Sequence, residues 1–340
     1  MRNERHGERI LDANGNRAAE GLRILEEVAR FLLDDPTLSS EAKHCRHSLR
    51  QALPVSAVAA RDNAGDVGTA ISTSDEGLRP RLYDLIRANA ARAQEALRCL
   101  EEFGKLLAIP QLPDAAEDIR YRSYRLEQAL LARLPAERLW RERLYVLIDS
   151  GCCQDPLAVA TAAARGGAGV IQLRAKHLSP RAYADLAAAL LPAVRAAGAL
   201  FIVNDHVAIA AAIGADGVHL GQDDITPGQA RRVLGPLAII GLSTHSPEQV
   251  AAAHRETVDY IGIGPMYATG TKAHEPVRGP GLLLRVAEQL RLPSYAIGGI
   301  TPEHLAELRP PHGIAVAGCV CRAEDPARAC ALLRERIDAF

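Results

Sequence analysis

Phe201-Ile-Val-Asn-Asp-His-Val-Ala-Ile-Ala-Ala-Ala-Ile-Gly-Ala-Asp-Gly-Val-His-Leu-Gly-Gln-Asp-Asp224 is the stretch on which the fold turns. Two short, mostly apolar runs, Phe201–Val203 and Gly217–Leu220, flank a segment, Ala208–Ile213, that suits a helix. Strands joined through a helix rather than a tight turn lie parallel. Runs that are continuous rather than alternating belong to strands buried on both faces.

The same unit recurs on either side. Further strands are predicted at Leu144–Ile148, Val170–Leu173, Ile239–Leu242, Tyr260–Ile263, Tyr295–Ile297 and Ile314–Ala317. Helices are predicted at Pro156–Arg165, Pro180–Ala197, Pro227–Leu234, Pro247–His254, Gly281–Leu290, Pro302–Leu308 and Asp325–Ile337. Five of the eight helices begin with proline, whose missing N–H costs nothing in a first helical turn. Eight such units in about 200 residues fit a compact (β/α)₈ TIM barrel. The competing architecture is a doubly wound open sheet. No GxGxxG follows the first strand, which counts against a dinucleotide-binding version of it.

A barrel of this kind carries its chemistry just after its strands. Polar residues gather there. Gln172, Arg174 and Lys176 follow the second strand, Asn204 and Asp205 the third, and His219, Gln222, Asp223 and Asp224 the fourth. Ser243, Thr244 and His245 follow the fifth, and Thr269, Thr271 and Lys272 the sixth. Gly298-Gly299 and Gly318 end the last two. Asp205 and Asp224, on adjacent strands, suit Mg²⁺ on a polyphosphate, since this hard cation takes oxygen ligands. Their alternative role is helix capping, with Asp223 as a rival ligand. Arg174, Lys176 and Lys272 bring three cations to the same mouth, which suits a phosphorylated substrate. Arg174 has a structural alternative, pairing with a barrel carboxylate. Thr269-Gly270-Thr271 and Gly298-Gly299 offer hydroxyls and closely approachable N–H groups for a second phosphate. No nucleophile–base arrangement accompanies them, so leaving-group stabilisation is the chemistry this inventory supports. His219 and His245 stand near the mouth with packing or orienting roles as open as catalytic ones.

The chain ahead of the barrel has a different character. Residues 1–143 hold 46 charged residues and seven glycines; residues 144–340 hold 35 and twenty. Dense balanced charge with little glycine indicates helices with ion-paired outer faces. Arg17-Ala-Ala-Glu-Gly-Leu-Arg-Ile-Leu-Glu-Glu is nearly repeated at Arg92-Ala-Gln-Glu-Ala-Leu-Arg-Cys-Leu-Glu-Glu, with Asn14 and Asn89 in register. A weaker pair, Leu49-Arg-Gln-Ala-Leu and Leu126-Glu-Gln-Ala-Leu, follows. Leu22, Leu25, Ala29 and Leu32 recur at helical spacing. An all-α domain built from a duplicated helix pair is therefore expected over 1–140, ahead of a barrel over 141–340. The polar link from Arg61 to Asp75 could bind phosphate or metal; its turn residues favour an exposed connection.

The whole chain of 340 residues has a formal net charge of −1, which provides no field for nucleic acid. No uncharged apolar run reaches the roughly 18 residues of a membrane span, and no apolar core follows the charged N-terminus as in a secretory leader. A cytoplasmic protein is expected, with homo-oligomerisation compatible but unspecified. Cys152-Cys153 and Cys319-Val-Cys321 have neither zinc nor thioredoxin-type spacing, so the seven cysteines read as reduced thiols.

Gln172-Leu-Arg-Ala-Lys176, Val203-Asn-Asp205, Gly214-Ala-Asp-Gly-Val-His-Leu-Gly-Gln-Asp-Asp224, Ile240-Gly-Leu-Ser243, Gly262-Ile-Gly-Pro-Met-Tyr-Ala-Thr-Gly-Thr-Lys272 and Ala296-Ile-Gly-Gly-Ile300 together resemble thiamine phosphate synthase. The resemblance runs in order from about Leu144 to Val320. It implies a (β/α)₈ barrel joining hydroxymethylpyrimidine diphosphate to a thiazole phosphate, with loss of pyrophosphate. It implies that Gln172, Leu173, Arg174, Ala175, Lys176, Asn204, Ser243 and Lys272 hold the diphosphate substrate. Of these, Lys176, Asn204, Ser243 and Lys272 would be catalytic. Asp205 and Asp224 would hold Mg²⁺, and Thr269, Gly270, Thr271, Gly299 and the turn Ala317-Gly318 the thiazole phosphate. The family usually has Val-Ser at that turn, so a hydroxyl contact is absent here. The helical part resembles a domain fused ahead of such synthases and assigned as a hydroxymethylpyrimidine phosphate kinase. No P-loop occurs; Arg61, Asp62, Asp66, Gly68 and Thr69 are its candidate site, with Asn14, Arg17, Glu20, Arg92 and Glu95 lining the duplicated seam. The rival reading is a non-catalytic oligomerisation or regulatory module. For the barrel, the rivals are a regulator that lost catalysis and another phosphate-binding isomerase or aldolase. An aldolase would need a lysine inside a strand, whereas Lys176 and Lys272 lie beyond strand ends.

Overall fold

The computed structural model describes residues 2–59, 81–269, 276–308 and 312–339. The chain divides into two compact units, Met1–Leu134 and Pro135–Phe340. The division lies six residues before the expected 140/141 boundary. The 3₁₀ turn Pro135–Trp140 belongs with the second unit, because Leu139 is fully buried in the floor of the barrel.

The first unit contains α1 (Arg2–Glu27), α2 (Pro36–Ala52), α3 (Val55–Ala59), α4 (Leu82–Leu106) and α5 (Leu112–Ala132). Helices α1 and α2 form one copy and α4 and α5 the other. Equivalent helices pack against each other, α1 on α4 and α2 on α5, while α1 also packs on α2 and α4 on α5. The apolar stripe drives this. Leu22, Leu25, Ala29 and Leu97 are all fully buried, each large side chain contributing about 1.5–3 kcal/mol by burial. Leu32 is only half-buried, because α1 widens into a π-turn over Val28–Leu32 that rotates the stripe. The repeated asparagines behave alike: Asn14 donates to the Ile10 carbonyl and Asn89 to the Leu85 carbonyl, each four residues back along its helix. Both are buried, but Arg17, Glu20, Arg92 and Glu95 are exposed. These four do not line the seam. At 100° per residue they fall on the outer helix face. Arg61, Asp62, Asp66, Gly68 and Thr69 lie outside the described residues.

In the second unit, β1 (Leu144–Asp149), β2 (Val170–Arg174), β3 (Leu200–Asn204), β4 (Gly217–Leu220), β5 (Ile239–Thr244), β6 (Tyr260–Ile263), β7 (Ser294–Ile297) and β8 (Gly313–Val316) form a closed parallel barrel, paired in sequence order. The helices around it are α6 (Pro156–Arg165), α7 (Pro180–Ala196), α8 (Val207–Ile213), α9 (Pro227–Leu234), α10 (Pro247–Ala253), α11 (Gly281–Val286), α12 (Leu305–Leu308), α13 (Gly318–Cys321) and α14 (Pro326–Asp338). All eight expected strands are present to within one or two residues. Short α13 is the element the sequence did not announce.

Alternate strand residues face opposite ways. Leu144, Val146, Ile148, Ile171, Leu173, Phe201 and Val203 pack outward into the strand–helix core. Tyr145, Leu147, Val170, Leu200, Ile202, Tyr260 and Tyr295 fill the interior. Three tyrosines fit one small barrel because glycine faces them. A Cβ on Gly241 would stand 2.1 Å from the Tyr260 ring, which no side chain tolerates. Tyr145, Tyr260 and Tyr295 pack with ring centroids 5.1–5.7 Å apart, within the range of favourable edge and tilted contacts.

Candidate active site

The inward parity that fills the barrel floor with tyrosines puts polar side chains at its upper rim. A cavity of about 940 Å³ opens there. Among the described candidates it is lined by Gln172, Arg174, Lys176, Asn204, Asp205, Asp224, Ser243, Thr269, Gly299, Ala317 and Gly318. Leu173 and Ala175 do not join them. Their side chains are buried in the outer core, on the opposite parity to Gln172 and Arg174, so only their backbone can serve the site. Gly270, Thr271 and Lys272 lie outside the described residues.

The carboxylates come first. Asp205 sits just beyond β3 with φ of 61°, a left-handed conformation costing an aspartate about 1–2 kcal/mol. Its N–H donates to the His219 carbonyl at 2.9 Å, which ties the turn to β4. Neither aspartate is a helix cap. Helix α9 is capped by a reciprocal Thr226–Gln229 pair, and α8 has no side-chain cap. Asp224 instead accepts the Gly221 N–H at 2.7 Å. Burial, and then the facing Asp224 carboxylate, push Asp205 above the usual carboxylate range, against the pull of Lys176. The Lys176 Nζ lies 3.3 Å from Asp205. A buried carboxylate with a second carboxylate facing it is a donor set that a divalent cation would relieve. Their oxygen chemistry fits Mg²⁺. Asp223 is exposed and also borders the cavity.

The cations are not the three unpaired groups expected. Arg174 donates to Asp149 at 2.6 Å, across the β1–β2 register, and both side chains are largely buried. The structural alternative for Arg174 is therefore realised, although the residue still borders the cavity. The strand-end rule, applied to β1, would have found Asp149. Two further arginines, Arg278 and Arg322, line the cavity. Arg322 lies over Gly318, where a Cβ would stand 2.3 Å from its guanidinium. Their places depend on how the loop after β6 and helix α13 fold, which strand periodicity does not report.

A hydrogen-bonded chain runs beneath the cavity. Gln172 Nε2 donates to the Tyr145 hydroxyl at 2.7 Å, and Tyr145 and Tyr260 hydroxyls lie 2.8 Å apart. Tyr260 meets His219 Nδ1 at 2.9 Å, and His219 Nε2 meets Ser243 Oγ at 2.9 Å. Burial, first of all, raises the pKa of both tyrosines, so they remain O–H donors. A neutral His219 with its proton on Nε2 satisfies every link in one direction, which leaves the Ser243 proton free to point into the cavity. His219 is thereby an orienting residue. At the other end, Gln172 Oε1 is buried without a hydrogen-bond partner among the described residues. A buried orphan acceptor costs about 1–3 kcal/mol, so this atom calls for a ligand N–H.

The far side of the mouth is built from tight turns. Gly298 and Gly299 have φ of 102° and 63°, and a Cβ on Gly298 would stand 2.5 Å from Pro265. The loop after β6 is laid directly over them, with Met266 N–H donating to the Ile297 carbonyl and Tyr267 N–H to the Gly298 carbonyl, both at 2.9 Å. Thr269 and Gly299 border the cavity, as do Ala317 and Gly318 at the start of α13.

Residues 144–320 match the thiamine monophosphate synthase family, and residues 9–129 match the ThiD2 family. The chain is 41% identical to a thiamine-phosphate synthase of Synechocystis over 96% of its own length and 94% of the relative's. It is 41% identical to one of Rhodopirellula baltica, covering 86% and 82%. Among solved structures it resembles a thiamine phosphate pyrophosphorylase of Pyrococcus furiosus, with 32% identity and a TM-score of 0.54. That likeness covers 59% of this chain and 98% of the other.

Proposed function

The chain belongs to the thiamine monophosphate synthase family, and from that premise we propose how its barrel joins hydroxymethylpyrimidine diphosphate to a thiazole phosphate, releasing pyrophosphate. The observation that carries the proposal is the opposed carboxylate pair Asp205 and Asp224 beside Lys176, in one cavity with Gln172 and Ser243. Asp205 and Asp224 are the residues that would hold Mg²⁺, which supplies charge neutralisation for the diphosphate.

The bond that breaks joins the pyrimidine methylene carbon to the diphosphate oxygen, and the electron pair leaves with pyrophosphate. Lys176 and the Ser243 hydroxyl donate to that leaving group. Asn204, 8% exposed, is held at the β3 rim by its N–H bond to the Tyr183 hydroxyl at 3.1 Å. Gln172 Oε1 receives the exocyclic amino group of the pyrimidine, which satisfies its orphan acceptor. The electron-rich ring stabilises the resulting cation, and the thiazole nitrogen closes the new C–N bond. Thr269, Gly299, Ala317 and Gly318, with Gly270 and Thr271, hold the thiazole phosphate, and Lys272 joins Lys176 on the diphosphate. Arg322 replaces with charge the hydroxyl that Gly318 lacks.

The test is formation of thiamine phosphate from the two purified substrates, with and without Mg²⁺, by wild type and Asp205→Ala. Product formation that is unaffected by removing both the metal and the carboxylate defeats the mechanism.

For the helical unit, the match to the ThiD2 family supports a hydroxymethylpyrimidine phosphate kinase, whose product is the barrel's own substrate. Full-length Asp205→Ala, incubated with ATP and hydroxymethylpyrimidine phosphate, should accumulate the diphosphate. No diphosphate from the folded protein would favour an interaction module. A cytoplasmic place for the chain is part of this proposal. Among the described residues no helix is long and apolar enough to cross a membrane.

A further inference from the structure

The adjacent Cys152 and Cys153 meet Cys321, 168 positions further along the chain, in the fold. Cys152 and Cys153 lie in the turn after β1, where both N–H groups donate to the Asp149 carbonyl, at 2.9 and 3.1 Å. Cys321 is the last residue of α13, with its thiol donating to the Leu147 carbonyl at 3.3 Å. The three Sγ atoms lie within 4.8 Å of one another, two on buried residues and Cys152 half-buried. No other group of three or more such ligands exists among the described residues.

We propose that Cys152, Cys153 and Cys321 form a binding site for a thiophilic divalent cation of the zinc class. Thiolate donors select such ions over Mg²⁺. Around a zinc ion with bonds of about 2.3 Å, tetrahedral sulfurs stand roughly 3.8 Å apart, so closure from the present spacing takes an ångström or less. The half-buried Cys152 leaves the fourth position open to water. The balance is one M²⁺ taken up and three thiol protons released, giving a site of charge −1. Arg322, the residue after Cys321, offers a cation to offset that charge.

The site has a consequence for the barrel. It clamps the turn after β1 to α13, whose first residues Gly318 and Cys319 line the catalytic cavity. An occupied site therefore fixes the wall proposed to hold the thiazole phosphate. The metal site itself does not depend on that assignment.

The test is an anaerobic titration of the reduced full-length chain with Cd²⁺, read by the thiolate-to-metal charge-transfer absorbance. Binding at Asp205 and Asp224 has no such band, so the signal reports thiols alone. The expected result is saturation at one ion per chain, reversed by excess zinc. Cys152→Ser should weaken it at least tenfold with the fold retained. Cys99→Ser, at an exposed cysteine of the helical unit, should leave it unchanged. Absence of a saturable one-ion band, or wild-type affinity in Cys152→Ser, overturns the proposal.

Discussion

The helical unit and the barrel both bury charge, but they settle it differently. In the helical unit three buried carboxylates meet cations of their own unit. Glu26 receives Arg46, Glu101 receives Arg98, Lys105 and Arg120, and Glu127 receives Arg87. The duplication repeats the device: Glu26 and Glu101 occupy the same position in the two copies, and each takes an arginine from the helix packed beside it. At the barrel mouth the account is left open. Asp205 faces another carboxylate as well as Lys176, and Gln172 Oε1 has no hydrogen-bond partner among the described residues. Polar groups satisfied internally make a scaffold, and polar groups left over make a binding site.

The largest effect expected from this contrast is on turnover. Asp205→Ala and Lys176→Ala should each lower kcat for thiamine phosphate formation by about a thousandfold, the upper range for removing a group that stabilises developing charge. Circular dichroism should show the fold intact. Glu101→Ala should leave kcat unchanged. Near-normal turnover in both barrel variants would mean that the surplus charge at the mouth is structural after all.

Stability should show the reverse ordering. Glu101→Ala strands the largely buried Arg120 without its carboxylate, and breaking a buried pair costs about 3–5 kcal/mol. Glu102→Ala removes an exposed partner of Arg98 and Lys105 and should cost less than about 1 kcal/mol. Urea unfolding followed by helix signal separates the two. Equal losses would show that the buried network is no more than its surface counterpart.

A smaller effect belongs to His219, which touches Ser243 rather than substrate in the proposed chemistry. His219→Ala should lower kcat about tenfold with little change in KM. Ser243→Ala in that background should add less than it does alone, because the two act as one unit. Full additivity would separate them and end the orienting role.

Most of the architecture was legible because it rests on periodicities. Strand β2, Val170–Arg174, shows both the power and the limit. Its apolar run gave the strand, and its end gave Gln172 and Arg174. The same period of two turns Leu173 and Ala175 outward, although the family motif carries them in the binding stretch. The pairing of Arg174 with Asp149 was open to sequence reasoning only as an unnamed carboxylate, since it depends on strand register. Arg322 and the Cys152–Cys153–Cys321 cluster were illegible for a different reason. They arise where the barrel closes and β8 returns beside β1, a contact that no local spacing encodes. The outward turn of Arg17, Glu20, Arg92 and Glu95 follows from helical geometry, and the repeat alone does not fix which face is buried.

The smallest expected effect is a pH slope, and it reads the same contrast in protons. Burial works to raise the Glu101 pKa, but hydrogen bonds from Lys105, Arg120 and Arg98 outweigh it, and the folded value lies below the ordinary 4.5. The unfolded chain therefore binds a proton more readily than the folded one. The stability that Glu101 contributes is fully present above about pH 4.5 and is lost as the pH falls from there through the folded value. Glu101→Gln removes this titration while keeping the side-chain shape. Its unfolding free energy should fall less steeply than wild type on acidification below that pH, even though it starts lower. Parallel slopes in the two proteins would mean that the three cations do not outweigh burial, and that the helical unit's charge is less fully settled than its geometry implies.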